Sequence, residues 1–328
     1  MLKRLLRGWL LLPAVLLICC VYLAQSCSKK SSDRIGGNVK LTVIYSSDLH
    51  GNVRSCGCAD RDMGGLGRRA TFTTEALTGA ENVIVVEAGD VFSLDLAYTQ
   101  TEAELTFDAF NLMKLDVLTP GEIEFIFGLP FLKKVADGRE FDVVALNLVD
   151  RGTGERIFPK PYVIREITGG VKVAVTGVID DSIRFPGYID QSGFELLPYE
   201  EELSKIMPEL ERQAEFLILL SHLGYDKSKL VAERFPQFDV IVIGHGKPIV
   251  KEEEKVGETI LLATGGQGQY IGRLDLVLSK EGDFMYGKMR IIPLEDDIAI
   301  HDGIKELFSS YGVPLTDKEV GGEKGVRR

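Results

Sequence analysis

Short apolar runs bounded by turn residues recur along the chain at Leu41–Tyr45, Val83–Glu87, Val143–Leu148, Val171–Val178, Phe216–Leu220 and Val240–Ile243. Each is of strand length and apolar throughout rather than alternating, the pattern of strands covered on both faces. Between them, Leu66–Leu77, Glu102–Met113, Leu129–Ala136, Tyr199–Arg212 and Lys227–Arg234 carry apolar residues at three- and four-residue spacing. These alternate with the strands as crossover helices should. The last third changes character: Thr259–Ala263, Tyr270–Ser279 and Asp283–Pro293 follow one another with no helical pattern between, which predicts an antiparallel meander. One helix is expected from Asp302 to Tyr311. The whole reads as a single large α/β domain over residues 39–295, followed by a short helix and tail at 296–328.

The N-terminal residues have a different logic. Lys3, Arg4 and Arg7 precede an uninterrupted apolar stretch from Trp9 to Ala24, the layout of an export signal. It closes with Leu23-Ala24-Gln25-Ser26-Cys27, which resembles a bacterial lipoprotein cleavage site, with Cys27 as the lipidated new N-terminus. The alternative is an uncleaved anchor, since about 17 apolar residues is the lower limit for spanning a bilayer. Either way the folded part is expected outside the cytoplasm, held to a membrane through the polar linker 27–38 after a signal at 1–26. Loss of residues 1–26 takes the net charge from −11 to −14. No basic stripe with interleaved aromatics offsets that charge, so nucleic acid is not an expected partner.

Cys56 and Cys58 are the only cysteines of the part that would remain beyond Cys27, separated by one glycine. A structural disulfide is the usual outcome in an oxidising compartment, but a pair this close makes a small, strained ring. A redox pair or a soft-metal contact is therefore a second reading.

Donor-bearing side chains fall just after the apolar runs: Asp48 and His50, Asp90 in Gly89-Asp90, His222 in Ser221-His222, and His245 in Gly244-His245. Ligands of open α/β sheets gather beyond the carboxyl ends of the strands. One histidine after a strand is ordinarily a surface or capping residue; here three of the four histidines occupy such positions. The fourth, His301, has no such context and reads as structural.

Together these residues resemble the calcineurin-like metallophosphoesterase superfamily, and more closely the catalytic domain of 5'-nucleotidases. The matching stretches are Ser47-Asp48-Leu49-His50-Gly51, Gly64-Gly65-Leu66-Gly67-Arg68-Arg69-Ala70, Gly89-Asp90, Gly121 with Glu124-Phe125, Ser221-His222-Leu223-Gly224, Gly244-His245, and Thr264-Gly265-Gly266-Gln267-Gly268-Gln269-Tyr270-Ile271-Gly272-Arg273. They run in order over about residues 40 to 293. The resemblance implies a four-layer α-β-β-α sandwich and one or two divalent metals. Asp48 and His50 would hold the first, Asp90 would bridge, and position 122 with His222 and His245 would hold the second. Mn, Zn or Fe suits such mixed carboxylate and imidazole ligands. A small phosphate ester or anion is the implied partner. The residues after Pro293 are too few for the separate domain with which nucleotidases clamp the base, so nucleoside recognition is not expected.

The departures are as informative. Where the family carries Asn-His-Glu-Phe-Asp, this chain has Glu122-Ile123-Glu124-Phe125-Ile126, so isoleucine replaces both the proton-donating His and the Asp that orients it. Ile123 cannot carry a proton, and such assistance is worth about 10²- to 10⁴-fold. Lys247 stands where the family has a His or Gln ligand, and an ammonium cannot bind a metal. Glu122, a carboxylate in place of an amide, adds the charge that would offset it, with Lys247 left to grip phosphate. Two functions follow as expectations: a membrane-tethered metallophosphoesterase of altered or reduced catalysis, or a non-catalytic metal- or anion-binding lipoprotein, redox-linked through Cys56 and Cys58.

Overall fold

The computed structural model describes residues 38–316 apart from 59 and 247. Two six-stranded sheets organise it. In the first, the order is β14-β13-β1-β2-β3-β4. Strands β1 (Val39–Ser46), β2 (Val83–Glu87), β3 (Val117–Leu118) and β4 (Asp142–Val143) run parallel; β13 (Tyr270–Leu278) and β14 (Phe284–Pro293) extend the β1 edge antiparallel. In the second, the order is β11-β12-β10-β9-β7-β6. There β7 (Lys172–Ile179), β9 (Phe216–His222), β10 (Val240–Ile243) and β12 (Thr259–Leu262) are parallel, with β6 (Tyr162–Glu166) and β11 (Glu254–Val256) antiparallel at the edges. A separate two-stranded ribbon pairs β5 (Leu148–Asp150) with β8 (Phe194–Leu196).

Because successive strand residues face opposite ways, an apolar run feeds two cores at once. Val43, Tyr45, Val86 and Val117 of the first sheet meet Val175, Ile218, Leu220 and Val242 of the second in one buried cluster. Ile44 and Val85 turn outward, onto a cluster with Leu66 of α1 (Leu66–Gly79), Phe107 and Phe110 of α2 (Gln100–Leu112) and Leu132 of α3 (Leu129–Ala136). Leu217, Leu219 and Ile241 turn outward from the second sheet onto Leu203, Met207 and Leu210 of α4 (Tyr199–Gln213) and Val231 of α5 (Tyr225–Arg234). Helix, sheet, sheet, helix is the layering expected from the sequence. Burial of each such side chain stabilises the fold by roughly 1.5–3 kcal/mol.

Two expectations need correction. The run Val143–Leu148 is not one strand: Val143 ends β4, Leu148 begins β5, and the buried residues between them cross from one sheet to another pairing. The last third is not one meander either. β12 joins the second sheet parallel to β10, and the chain then crosses to place β13 beside β1 in the first. The short β3 and the half-exposed β6 carried too little apolar signal to be seen. The final helix, α6 (Asp302–Ser310), is where the pattern placed it, and His301 caps it by accepting from the Gly303 N–H.

Loop 56–64, between the first strand and α1, hangs on one buried cation. Arg68, 2% exposed, donates to the Asp62 carboxylate at 2.6 Å and to the carbonyls of Asp62, Gly64 and Leu294 at 3.2–3.4 Å. Removing one member of a buried pair leaves an uncompensated charge, which costs about 3–5 kcal/mol. Arg68→Met should therefore lower the free energy of unfolding by about 3–5 kcal/mol, read from urea titrations followed by circular dichroism; a loss below about 1 kcal/mol would mean that the pair contributes no more than a surface one.

Candidate metal centre

The carboxyl ends of β1, β2, β3, β9 and β10 meet at one place. The chain leaving β1 stays zipped to the chain leaving β2: Asp48 N–H donates to Gly89 O at 2.8 Å, His50 N–H to Asp90 O at 2.9 Å and Gly51 N–H to Val91 O at 3.0 Å. Ser47 Oγ reaches across to Ile243 O at 3.1 Å, tying β1's exit to that of β10. This zippering aims the side chains inward at a conformational cost. Of the six non-glycine residues with positive φ among the described residues, four are Asp48, Asp90, His50 and His245. Each is held in a region that costs of order 1–3 kcal/mol, and such strain clusters at functional sites.

Two overlapping donor sets result. Asp48, His50 and Asp90 offer atoms within 4.8 Å of one another, and so do Asp90, Glu122, His222 and His245. Asp90 belongs to both. In the second set, His222 Nε2 lies 3.1 Å from Glu122 Oε2 and 3.4 Å from Asp90 Oδ1, while His245 Nδ1 lies 3.4 Å from Glu122 Oε1. In the first, His50 Nε2 is 3.6 Å from Asp48 Oδ1, too long for a hydrogen bond. His222, fully buried, is oriented through its far nitrogen, since Nδ1–H donates to Ala88 O at 2.7 Å and turns Nε2 toward the site.

Electrostatics favours positive charge here. Burial pulls the His222 pKa down, but the Asp90 and Glu122 carboxylates outweigh it and hold it well above the usual histidine value. Glu122 raises His245 as well. Burial pushes Glu122 up, yet the two imidazoles overcome this and hold it below the ordinary carboxylate range. The buried oxygens of Asp48, His50 Nε2 and His245 Nδ1 have no hydrogen-bond partner among the described residues. Buried polar atoms without partners are costly. Their number, their convergence and the mixed carboxylate and imidazole chemistry fit divalent metal ions.

One residue outside the expected set organises the rest. The fully buried Glu124 accepts from the backbone N–H groups of Asp90 (2.9 Å), Val91 (2.7 Å), Phe92 (3.0 Å) and Gly121 (2.6 Å), so one carboxylate stitches the β2 and β3 exits together. Burial, followed by the charge of Asp90, pushes it up to about 7. The Gly-x-x-Glu spacing of Gly121 to Glu124 was the available signal for it. Gly121 is needed for close approach: a Cβ there would strike Asp90 Oδ1 and His222 Nε2.

No family model matches the chain. It is 28% identical over 209 residues to a metallophosphoesterase of Bacillus subtilis, YunD, covering 62% of this chain and 44% of that one. To the 5'-nucleotidase of Homo sapiens it is 21% identical over 313 residues, covering 85% of this chain and 54% of the other. Superposed on the calcineurin-like phosphoesterase YfkN of Bacillus subtilis, it gives a TM-score of 0.70 at 20% identity, with 88% of this chain and all of that one covered. This is the calcineurin-like phosphoesterase fold. Its homologues are metallophosphoesterases and 5'-nucleotidases, and the chain spans about half the length of those two relatives.

Within that phosphoesterase frame, the six side chains expected to bind metal, Asp48, His50, Asp90, Glu122, His222 and His245, lie in two overlapping clusters. Ile123 is buried in the helix-side core with Phe125, and its N–H donates to Asp90 Oδ1 at 3.3 Å. Ile126 packs against the same core. Lys247, Cys27 and the signal segment lie outside the described residues, and no helix among the described residues is long and apolar enough to cross a membrane. Cys56 and Cys58 form a disulfide on the exposed loop. Gly121→Ala should weaken binding of Mn or Zn by about 10- to 100-fold and destabilise the metal-free protein by about 1–3 kcal/mol, as isothermal titration and calorimetry would record; unchanged affinity would show that the Asp90 and His222 cradle is not where metal binds.

Proposed function

We propose that this chain is a metal-dependent phosphoesterase with a 5'-nucleotidase-like catalytic domain, acting on small phosphate esters from a membrane tether outside the cytoplasm. The observation that carries the reading is the shared Asp90: one carboxylate belongs to two donor sets, which is the requirement of a paired metal centre. Asp48 and His50 would hold one ion, Glu122, His222 and His245 the other. When bound, such ions neutralise phosphoryl oxygens and activate a water.

The protein's own residues then define what is missing. His222 is kept in one tautomer by Ala88 O, and Glu124 fixes the backbone that presents Asp90 and Glu122. At position 123, where a proton would be delivered to the departing oxygen, a buried isoleucine offers none. The leaving group must therefore depart as an anion or draw its proton from water. Glu122 makes the centre one unit more negative than an amide would, which strengthens cation binding and reduces its pull on phosphate. Lys247, two residues beyond His245, is our candidate for restoring that pull.

Aryl phosphates, whose leaving groups are stable anions, should be cleaved at least about 10²-fold faster than alkyl phosphates, with metal content verified by elemental analysis. Equal rates on both would refute the absence of general-acid assistance, and bound metal without turnover would favour the non-catalytic lipoprotein. The double substitution Ile123→His with Ile126→Asp should raise the rate on alkyl phosphates by about 10²- to 10⁴-fold, measured as phosphate release; no gain would show that the centre is deficient beyond its proton donor.

A further inference from the structure

The disulfide on loop 56–64 has no part in the metal chemistry, and it is poorly suited to be a staple. It joins residues two apart, so it closes almost no chain and removes little entropy from the unfolded state. The loop it sits in is already held by other means. Gly57 N–H donates to Asp62 Oδ1 at 2.7 Å, Cys56 N–H to Met63 O at 2.9 Å, Ser55 bridges to Gly64, and Arg68 anchors Asp62 from below. Those bonds do not need the sulfurs. The two cysteines and Gly57 between them are exposed to solvent, and Gly57 has a left-handed φ of 65° with open space where a side chain would be. Among the described residues, nothing lies within 4 Å of where a side chain on Gly57 would begin.

The loop also distinguishes its two sulfurs. Backbone N–H groups of Cys58 and Met63 point at Cys56 Sγ, at 3.3 and 3.5 Å, and Asp62 Oδ1 lies 3.9 Å from it. Two N–H dipoles aimed at one sulfur favour negative charge on it, while the carboxylate is turned to accept from its thiol form. An accessible disulfide in a minimal ring, set in a frame that persists without it, is the kind that exchanges rather than the kind that braces.

We propose that Cys56 and Cys58 form a thiol–disulfide exchange site whose co-reactant is a thiol, presented by a small molecule or by a protein dithiol. A thiolate of the co-reactant attacks Cys58 Sγ, forming a mixed disulfide there as the Cys56–Cys58 bond breaks and its electron pair leaves on Cys56 Sγ. A second co-reactant thiolate attacks the mixed disulfide at the co-reactant's own sulfur and releases Cys58 as a thiolate. Two thiols of the co-reactant thus become one disulfide, and their two protons end on Cys56 and Cys58. The reverse sequence oxidises the pair at the expense of a co-reactant disulfide. This site stands independently of the phosphoesterase reading.

The full chain, kept native, is exposed to millimolar glutathione in one arm and to a reduced protein dithiol in the other, then alkylated with a maleimide and cut with trypsin. The peptide 55–61 should carry two tags in at least one arm, with near-ultraviolet circular dichroism unchanged. Reduction by glutathione identifies a small-molecule thiol as sufficient; reduction by the protein dithiol alone identifies a protein partner. In Cys56→Ser, the Cys58 thiolate should attack the co-reactant in its disulfide form, glutathione disulfide or the oxidised protein, release one co-reactant thiol and keep the other half trapped on peptide 55–61 as a mixed disulfide. A bridge that neither reductant opens until denaturant is added, or a Cys58 that forms no mixed disulfide, would overturn the proposal.

Discussion

Negative charge that cannot escape into solvent is the constraint around which this molecule is arranged. Asp48, Asp90 and Glu124 are buried and Glu122 is nearly so, all within the small volume where five strands end. Carboxylates so placed repel one another unless something positive lies between them. The fold answers most fully for one of the four: Glu124 receives four backbone N–H groups, though burial and the charge of Asp90 still push it up to about 7. Among the described residues, Asp48 receives no hydrogen bond on either oxygen, and Asp90 and Glu122 find only imidazoles and one backbone N–H. The uncompensated remainder calls for cations. Positive φ at Asp48, His50, Asp90 and His245 belongs to the same account, since a relaxed backbone would turn these side chains away from one another.

The substitutions at 123 and 126 separate two tasks that one loop usually combines. Glu124 secures the loop to the β2 exit through backbone N–H groups, a role that does not depend on its neighbours' side chains. Positions 123 and 126 are therefore able to become apolar without loosening the ligands. Ile123 and Ile126 join the core around Phe125 and the helices beyond it. On the proposed reading, stability of the loop and delivery of a proton to the leaving group would draw on different atoms, so a metal cradle could persist without the acid.

Much of this was legible in the sequence, for a physical reason. Strands buried on both faces must be apolar at every position, so β1, β2, β7, β9 and β10 stood out. Donors that follow such runs are placed at the carboxyl edge by the strand itself, which is why Asp48, Asp90 and His245 could be assigned. His222 differs slightly, being the last residue of β9 rather than the first beyond it. The losses are of another kind. β3 has two residues and β6 is half-exposed at an edge, so neither carries a periodic signal. The division of β12 and β13 between two sheets depends on partners β10 and β1, far away in sequence, and local pattern holds no information about that choice. Gly272 shows how such long-range facts hide in plain residues: it is a glycine because the ring of Tyr45, its register partner on β1, lies where a Cβ would be.

The two donor sets are not equivalent, and the difference follows from Glu122. With a carboxylate at 122, one set holds two carboxylates and two imidazoles and the other two carboxylates and one imidazole, Asp90 being counted in each. His222 in the richer set is fully buried and fixed by Ala88 O, whereas His50 in the poorer set is partly exposed. More ligands, more rigidity and less water all favour the Glu122 side for a first cation. On the proposed two-metal reading, a cation held there would partly neutralise Asp90, and the pull on a second would rest on Asp48 with its two unpartnered oxygens. That reading would give a stronger and a weaker site sharing one carboxylate, the weaker on the segment from β1 that leads, a few residues later, into the loop carrying Cys56 and Cys58.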